Sequence, residues 1–207
     1  MKKTIIYVVR HGQAKGNKED LLLGQFDVPL TEKGKMQALK SSDFFKNKDI
    51  NFIYSSDLKR AFETAEVIAE KIGKKVIKDK LLRERDIDVF ENLTLKEAKE
   101  KVAKNSPFFT LSDKEKLTYK FTPNMESAFE TEERFRKFCH LTAKKHPGKN
   151  IVAVTHGGLM LYFLISLGLE KYRNLFGDPN PFENLGFFKL MTDGKNFEIM
   201  EFKGYNP

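Results

Sequence analysis

Two short apolar runs, each rich in β-branched residues and each followed by a His-Gly pair, constrain the fold of this chain more than any other feature. Residues 4–9 read Thr-Ile-Ile-Tyr-Val-Val and precede Arg10-His11-Gly12, whereas residues 151–155 read Ile-Val-Ala-Val-Thr and precede His156-Gly157. Short continuous apolar runs are typical of strands buried on both faces of a parallel sheet. Because helices must then cover both faces, the sequence predicts an α/β fold.

Strand and helix signals alternate along the rest of the chain. The predicted strands cover residues 4–9, 50–54, 75–77 and 151–155, followed by a C-terminal hairpin of 187–192 and 197–202. The predicted helices cover 31–46, 57–72, 127–146 and 159–167, with capping boxes at Thr94 and Ser127 and with Asp57 opening the second helix. This alternation indicates a three-layer sandwich with a mostly parallel central sheet flanked by helices.

The domain organisation follows from the absence of a linker or repeat. Residues 1–207 are predicted to form a single domain, with an insertion or lid around 94–125, where two prolines interrupt any regular period. The two longest apolar stretches are too short for a signal peptide or a membrane span, so we expect a cytoplasmic protein without a membrane partner.

The charge and cysteine content exclude several functional classes. The 37 basic and 29 acidic residues give a formal net charge of +8. The lysines are scattered, which favours a solvated surface over a nucleic-acid footprint. The single cysteine, Cys139, excludes an internal disulfide and a cysteine-based zinc cluster, and its apolar neighbours on a helix favour burial. No convincing carboxylate cluster for a metal is found.

Both His-Gly pairs follow predicted strands, so they fall where α/β sheets bind ligands. The carboxyl ends of parallel strands meet at one edge, which places His11 near His156. Arg10 adjoins His11, and Arg60 lies one turn into the helix after the second strand, within reach of the same edge. Guanidinium groups and helix N-termini bind phosphate oxygens. The four side chains therefore predict a cationic pocket for a phosphate group.

Five motifs, in order along nearly the whole chain, carry a resemblance to a known family. They are Arg10-His11-Gly12 with Pro29-Leu30-Thr31 and Gly34, Ser55-Ser56-Asp57-Leu58 with Arg60-Ala61, Leu82-Arg83-Glu84, Glu126-Ser127, and Thr155-His156-Gly157-Gly158. This pattern resembles the histidine phosphatase superfamily, of phosphoglycerate mutase-like fold.

The resemblance implies a role for each matching residue. His11 would form a phosphohistidine, while Arg10, Arg60 and His156 hold the phosphoryl oxygens and the cations lower the pKa of His11. Glu84 would protonate the leaving group, although its sequence context alone is that of an ordinary charged loop residue in ion pairs. The remaining substrate contacts implied are Gln13, Asn17, Leu23, Gly24 and Gly157. No cofactor and no metal are implied.

The resemblance leaves more than one function open. The leading hypothesis is a metal-independent phosphatase for small phosphate monoesters, with a phosphorylated metabolite as its partner. The alternatives are a cofactor-dependent phosphoglycerate mutase and a catalytically weak phosphate-binding relative. Residues 94–125 contain no arginine to grip a second acidic group, which favours the phosphatase. Phenylalanines in 105–124 are compatible with a homodimer.

Two departures from the family pattern concern the turn after Glu84. Asp88 and Asn92 stand where many relatives have glycine. Because both residue types tolerate the left-handed backbone region, the turn is expected to survive.

Overall fold

The computed structural model describes residues 2–16, 20–102, 106–172 and 180–207. Its strands are β1 (Thr4–Arg10), β2 (Leu21–Leu22), β3 (Phe52–Ser55), β4 (Val76–Lys78), β5 (Leu93–Thr94), β6 (Asn150–Thr155), β7 (Phe182–Thr192) and β8 (Phe197–Tyr205). Its helices are α1 (Glu32–Lys46), α2 (Lys59–Ile72), α3 (Leu95–Lys101), α4 (Asp113–Thr118), α5 (Ala128–Lys145) and α6 (Gly157–Ser166).

Six of these strands form one sheet in the order β4-β3-β6-β1-β7-β8. The first four neighbours pair in parallel, while β7 pairs antiparallel with both β1 and β8. The predicted mostly parallel sheet and its C-terminal hairpin are therefore confirmed. The ends of β1 and β6 lie side by side, with Arg10 opposite Thr155.

The side chains of the central strands alternate between the two faces of the sheet. On β1, Ile6 and Val8 enter the apolar cluster shared with α5 and α6, whereas Tyr7 and Val9 enter the cluster shared with α1 and α2. This alternation is the two-residue period of a strand covered on both sides. The three-layer sandwich predicted from the sequence is confirmed.

Side-chain caps begin most of the helices. Thr31 caps α1, and both predicted capping boxes are present, at Thr94 and at Ser127. The capping box at Ser112, which begins α4, was not predicted. Asp57 does not open α2, which begins at Lys59, because its carboxylate pairs with a guanidinium instead, that of Arg83.

The turn after Glu84 takes the backbone conformation that the sequence allows. Asp88 has φ 48° and Asn92 has φ 61°, both in the left-handed region where glycine is the usual residue. The expectation that the turn survives these two replacements is confirmed. The small ladder of β2 and β5 begins directly after it; strands of two residues leave no period in a sequence, so this ladder was missed.

Two further expectations concern exposed and buried apolar groups. Cys139 is fully buried, as expected, and burial raises the pKa of its thiol. In the segment 106–124, Phe109 is exposed but Phe108 is buried, so less aromatic surface is available than the homodimer idea assumed.

Among the described helices, none has the length and apolar character needed to cross a membrane. The single domain and the insertion or lid stay predictions.

The Phe135 side chain on α5 should be essential for packing this helix against the sheet. It is fully buried, with its ring 4.8 Å from that of Phe163 on α6, whereas Phe129 on the same helix is 44% exposed. We expect Phe135→Ala to lower the free energy of unfolding by about 3–5 kcal/mol. Urea denaturation measures it. Phe129→Ala is the matched control and should change it by less than about 0.5 kcal/mol; equal losses would contradict the assignment.

Candidate active site

His11 directly follows β1, and its buried ring has a defined tautomer. The ring Nδ1 lies 2.7 Å from the main-chain oxygen of Gly12. Because a carbonyl can only accept, Nδ1 carries the proton and Nε2 keeps its lone pair. The main chain of His11 is held on both sides, its N–H donating to the Thr155 oxygen (3.0 Å) and its oxygen accepting from Asn184 Nδ2 (3.0 Å).

Glycine is required where the loop after His11 meets the start of α1. A Cβ placed on Gly12 would lie 2.7 Å from the main-chain oxygen of Gly34, and one placed on Gly34 would collide with the main chain of Gln13. The two glycines therefore let the backbones touch. This close approach fixes Gln13, whose side-chain oxygen accepts from the Thr31 hydroxyl (3.0 Å).

His156 occupies the equivalent position at the end of β6 and is the N-terminal cap residue of α6. Its ring is fully buried, and the ring centroids of His156 and His11 are 5.1 Å apart. Neither ring nitrogen of His156 has a hydrogen-bond partner among the described residues. The two histidines predicted from the strand ends are thus neighbours.

Arg10 and Arg60 present their guanidinium groups at the same edge. Arg60 is 1% exposed and donates to the main-chain oxygens of Gly24 (2.7 Å) and Phe26 (2.8 Å). Arg10 donates to the main-chain oxygen of Phe182. In both side chains the buried Nε–H is left without an acceptor in the part of the chain that the structure describes.

Four buried polar atoms therefore lack partners among the described residues, and all four belong to three predicted site residues, Arg10, Arg60 and His156. Leaving a buried donor unsatisfied costs roughly 1–3 kcal/mol, so such atoms are rare in folded proteins. Guanidinium N–H groups beside imidazole nitrogens match the oxygens of a tetrahedral anion. The cluster has the chemistry of a phosphate site.

Burial controls the protonation of both histidines. Desolvation, followed by the charges of Arg60 and Arg10, holds the pKa of His11 well below its ordinary value. Desolvation is also the largest cause of the lowered pKa of His156. The cations named in the sequence analysis thus act in the expected direction but come second to burial. Burial lowers the pKa of Arg60 to about 10, which leaves it charged at neutral pH.

Glu84 is held at the N-terminus of α6. Its Oε2 accepts from the N–H of Gly158 (2.9 Å), and its Oε1 accepts from the N–H groups of Leu159 (3.0 Å) and Arg85 (2.9 Å). A Cβ on Gly158 would lie 2.6 Å from Oε1, so only glycine leaves room for this carboxylate. Among the described residues no lysine or arginine forms an ion pair with Glu84, contrary to what its charged sequence context suggests.

One cavity of about 760 Å³ joins these groups. The predicted site residues that line it are Arg10, His11, Gln13, Leu23, Gly24, Arg60, Glu84 and Gly157. His156 is absent from the described lining, although its ring is 5.1 Å from that of His11, and Asn17 lies outside the described residues. Within the described ranges, no group of three or more His, Cys, Asp or Glu side chains is placed to hold a metal ion.

Seven polar lining residues were given no site role by the sequence analysis: Asp20, Arg85, Thr94, Lys96, Tyr162, Asn180 and Asn184. The two asparagines flank the start of β7, and only the antiparallel pairing of β7 with β1 brings them to this edge. Arg85 was named in a motif but given no role. Its neighbour in the sequence, Glu84, was the residue that the resemblance singled out.

Comparisons with known proteins identify the relatives of this chain. The family model of the histidine phosphatase superfamily (branch 1) matches residues 6–203. Phosphoglycerate mutase-like protein 4 of Arabidopsis thaliana is 36% identical over 157 residues, which are 75% of this chain and 67% of that protein. Putative phosphoserine phosphatase 2 of Hydrogenobacter thermophilus is 31% identical over 201 residues, 94% and 93% of the two chains.

A solved structure gives the same result for the fold. The chain superposes on a mycobacterial glucosyl-3-phosphoglycerate phosphatase in complex with VO3 with a TM-score of 0.79, at 24% identity and over 100% of both chains. At this identity the likeness shows the fold, and the predicted phosphoglycerate mutase-like architecture is confirmed.

The buried histidines should make the protein less stable in mild acid. The unfolded chain takes up protons on His11 and His156 as the pH falls through about 6.5, whereas the folded chain does not. The unfolded state then binds more protons, so the free energy of unfolding falls, by up to about 1.4 kcal/mol per pH unit for each histidine. Urea denaturation in phosphate-free buffers between pH 7.5 and 5 measures the slope.

A variant pair separates this effect from general acid titration. His156→Gln removes one buried imidazole and should flatten the slope, leaving the contributions of His11 and of His146, whose pKa burial also lowers. His140→Gln, at an exposed position on α5, should leave the slope unchanged. An unaltered slope in His156→Gln would contradict the assignment.

Proposed function

The chain belongs to the histidine phosphatase superfamily (branch 1), a family of phosphatase enzymes, and we propose that it hydrolyses small phosphate monoesters through a phosphohistidine on His11, without a metal ion. One observation carries the proposal: four buried nitrogens of Arg10, Arg60 and His156, which share the site with His11, have no hydrogen-bond partner among the described residues. The phosphoryl oxygens of the ester would accept from the two Nε–H groups and from the one N–H of a neutral His156. The cytoplasmic location remains a prediction.

The first step would use the lone pair of His11 Nε2. A bond forms between Nε2 and phosphorus while the bond between phosphorus and the ester oxygen breaks. Because the pKa of His11 is lowered, the imidazole is neutral at physiological pH and its lone pair is available. The hydrogen bond from Nδ1 to the Gly12 oxygen keeps the ring in this tautomer and orients it.

Charge stabilisation would come from the same cluster. The guanidinium groups of Arg10 and Arg60 compensate the negative charge on the phosphoryl oxygens, and the neutral imidazole of His156 donates a hydrogen bond to them. Donors that are already fixed need no reorganisation when charge develops, which is the main source of catalysis in phosphoryl transfer. The hydrogen bonds from Arg60 to Gly24 and Phe26 support this fixed placement.

Glu84 would handle the protons. Since Oε1 already accepts two hydrogen bonds and Oε2 accepts one, the proton is assigned to Oε2. In the first step this proton passes to the ester oxygen as it leaves. In the second step the carboxylate takes a proton from the attacking water, while the bond between phosphorus and Nε2 breaks, so that inorganic phosphate and free His11 are released.

A second candidate function is favoured by Arg85. This guanidinium is 2% exposed, lines the cavity, and donates to the Glu126 main-chain oxygen (2.7 Å) and the Tyr162 hydroxyl (3.3 Å). It pairs with no carboxylate of the described residues. Residues 94–125 contain no arginine that could bind a second acidic group of a substrate, which argued against the mutase. Arg85 provides such a cation from another segment. A phosphoglycerate mutase, or a phosphatase for an acidic ester, therefore stays in competition.

Phosphate release in EDTA should depend on His11. Without its nucleophile the enzyme cannot form the phosphohistidine, so His11→Asn should lower kcat by roughly 10⁴-fold. The assay scores phosphate release from a panel of esters beside isomerisation of phosphoglycerates. Wild type quenched in alkaline detergent should carry an acid-labile, alkali-stable phosphoryl group that the variant lacks. Full activity of His11→Asn would refute the mechanism, a metal requirement would refute metal independence, and isomerisation without release would select the mutase.

The leaving group should determine how much Glu84 matters. Alkyl phosphates expel a strongly basic alkoxide that needs a proton, whereas p-nitrophenolate leaves without one. We expect Glu84→Gln to lower kcat/KM by roughly 10²-fold or more for glycerol 2-phosphate and by less than about tenfold for p-nitrophenyl phosphate. Steady-state kinetics on both esters measure this. Equal losses would show that Glu84 is not the acid.

A further inference from the structure

The proposed proton donor, Glu84, lies in irregular backbone. Residues 83–87 run between two short 3-10 turns, Lys80–Leu82 and Asp88–Phe90, and belong to no helix or strand. A regular element would fix the main chain through its own hydrogen-bond ladder. Here side chains that bind the main-chain groups of the segment support Glu84, in addition to the N–H groups at the start of α6 that bind its carboxylate.

Arg134, on α5, binds two of those groups, and one in the preceding turn, with one guanidinium. Its Nη1 donates to the main-chain oxygens of Leu81 (2.9 Å) and Arg83 (3.0 Å), and its Nη2 reaches the oxygen of Glu84 itself (3.3 Å). The planar, five-donor fork of arginine is suited to this arrangement, and a lysine ammonium cannot reproduce it. Arg134 therefore links α5 to the backbone of Glu84, whose main-chain oxygen also accepts from Gln25 Nε2 (3.1 Å).

Glu126 holds Arg134 in turn. The two carboxylate oxygens accept from Nε and Nη2 of Arg134, each at 2.8 Å, and Oε2 also accepts from the N–H of Asp86 (3.1 Å). Burial opposes ionisation of this carboxyl, but the hydrogen bonds and charge of Arg134 hold the pKa of Glu126 below its ordinary value. The pair thus binds the segment on both sides of Glu84, at residues 81–84 and at residue 86.

We propose that Arg134, fixed by Glu126, is a positioning residue that sets where Glu84 delivers its proton. Arg134 is absent from the described lining of the cavity, so it would act through the main chain of Glu84 and not on the substrate. Proton transfer requires hydrogen-bond contact, and a displacement of about 1 Å can cost roughly 10²-fold in rate. This inference rests on the proposed function, since it takes Glu84 as the proton donor.

Arg134→Lys is the variant that tests geometry alone. It keeps the positive charge that contributes to the lowered pKa of His156, but loses the fork that binds the carbonyls. We expect kcat/KM for glycerol 2-phosphate to fall by roughly 10- to 100-fold, and for p-nitrophenyl phosphate by less than about threefold. A merely structural role would reduce both esters alike.

Arg136→Lys is the matched control on the same helix. Arg136 also binds a buried carboxylate, that of Glu132, and donates to the Ser166 hydroxyl (3.0 Å). In the described part of the chain it makes no hydrogen bond to residues 81–86. It should alter the unfolding temperature as much as Arg134→Lys does. Any change in its kcat/KM should be the same for both esters. If it shows the same preference between esters, the proposal is overturned.

A double variant decides whether Arg134 acts through Glu84. In the Glu84→Gln background no proton is delivered, so adding Arg134→Lys should cost less than about a further threefold on glycerol 2-phosphate. If the second substitution keeps its full factor in that background, or if Arg134→Lys alone leaves both esters unchanged, the proposal fails.

Two other outcomes are distinguishable. If Arg134→Lys does not fold, Glu126→Gln, which leaves Arg134 in place but removes its ionic partner, must show the same ester preference at smaller size; equal losses would overturn the proposal. If Glu84→Gln itself shows no ester preference, the proton-donor role in the proposed function fails, and this inference with it. A preference in Glu84→Gln but not in Arg134→Lys overturns the positioning role alone.

Discussion

At the carboxyl edge of β1 and β6, two guanidinium groups each bury one N–H that has no acceptor among the described residues, and this is the constraint around which the structure is organised. A buried guanidinium is tolerated only when most of its N–H groups are satisfied. Arg60 therefore donates to Gly24 and Phe26, and Arg10 donates to Phe182, which leaves one Nε–H on each for an anion. The loop at 24–26 and the start of β7 are consequently attached to the groups that form the anion site.

The two kinds of basic residue have separate tasks in this chain. The formal charge of +8 comes mostly from scattered lysines, yet five of the seven arginines take part in the site or its supports: Arg10, Arg60, Arg83, Arg85 and Arg134. Each of the five donates from a planar fork to fixed oxygens, which an ammonium on a flexible stem does poorly. The net charge is therefore a weak guide to function here, while the positions of the arginines are a strong one.

The sequence predicts those parts of the structure that depend on local patterns. The buried strands 4–9 and 151–155, the capping boxes and the convergence of His11 with His156 all follow from periodicity and from the geometry of parallel sheets. Asp57 was misassigned as a helix cap because a capping signal and an ion-pair partner have the same residue type. The choice depends on Arg83, which is distant in sequence.

What the sequence could not provide are contacts that arise only when distant segments meet. Asn184 reaches the main chain of His11 because β7 pairs with β1, and Arg134 reaches Glu84 because α5 crosses the irregular segment 83–87. Neither residue lies in a motif with a chemical signature of its own. Likewise, the distribution of charge indicated cations as the cause of the lowered pKa of His11, but the larger cause, desolvation, depends on packing.

The same desolvation links stability to chemistry. A histidine can remain a neutral nucleophile beside two guanidinium groups only if its protonated form is excluded, and burial excludes it at the expense of stability in acid. Such a site conflicts with the ordinary rule that buried polar groups are paired, and conflicts of this kind are expected where function is located. The apolar clusters on both faces of the sheet supply the compensating stability. The alternating burial of β1 therefore serves the site as much as the fold, since it holds Arg10 in place although its buried Nε–H has no acceptor among the described residues.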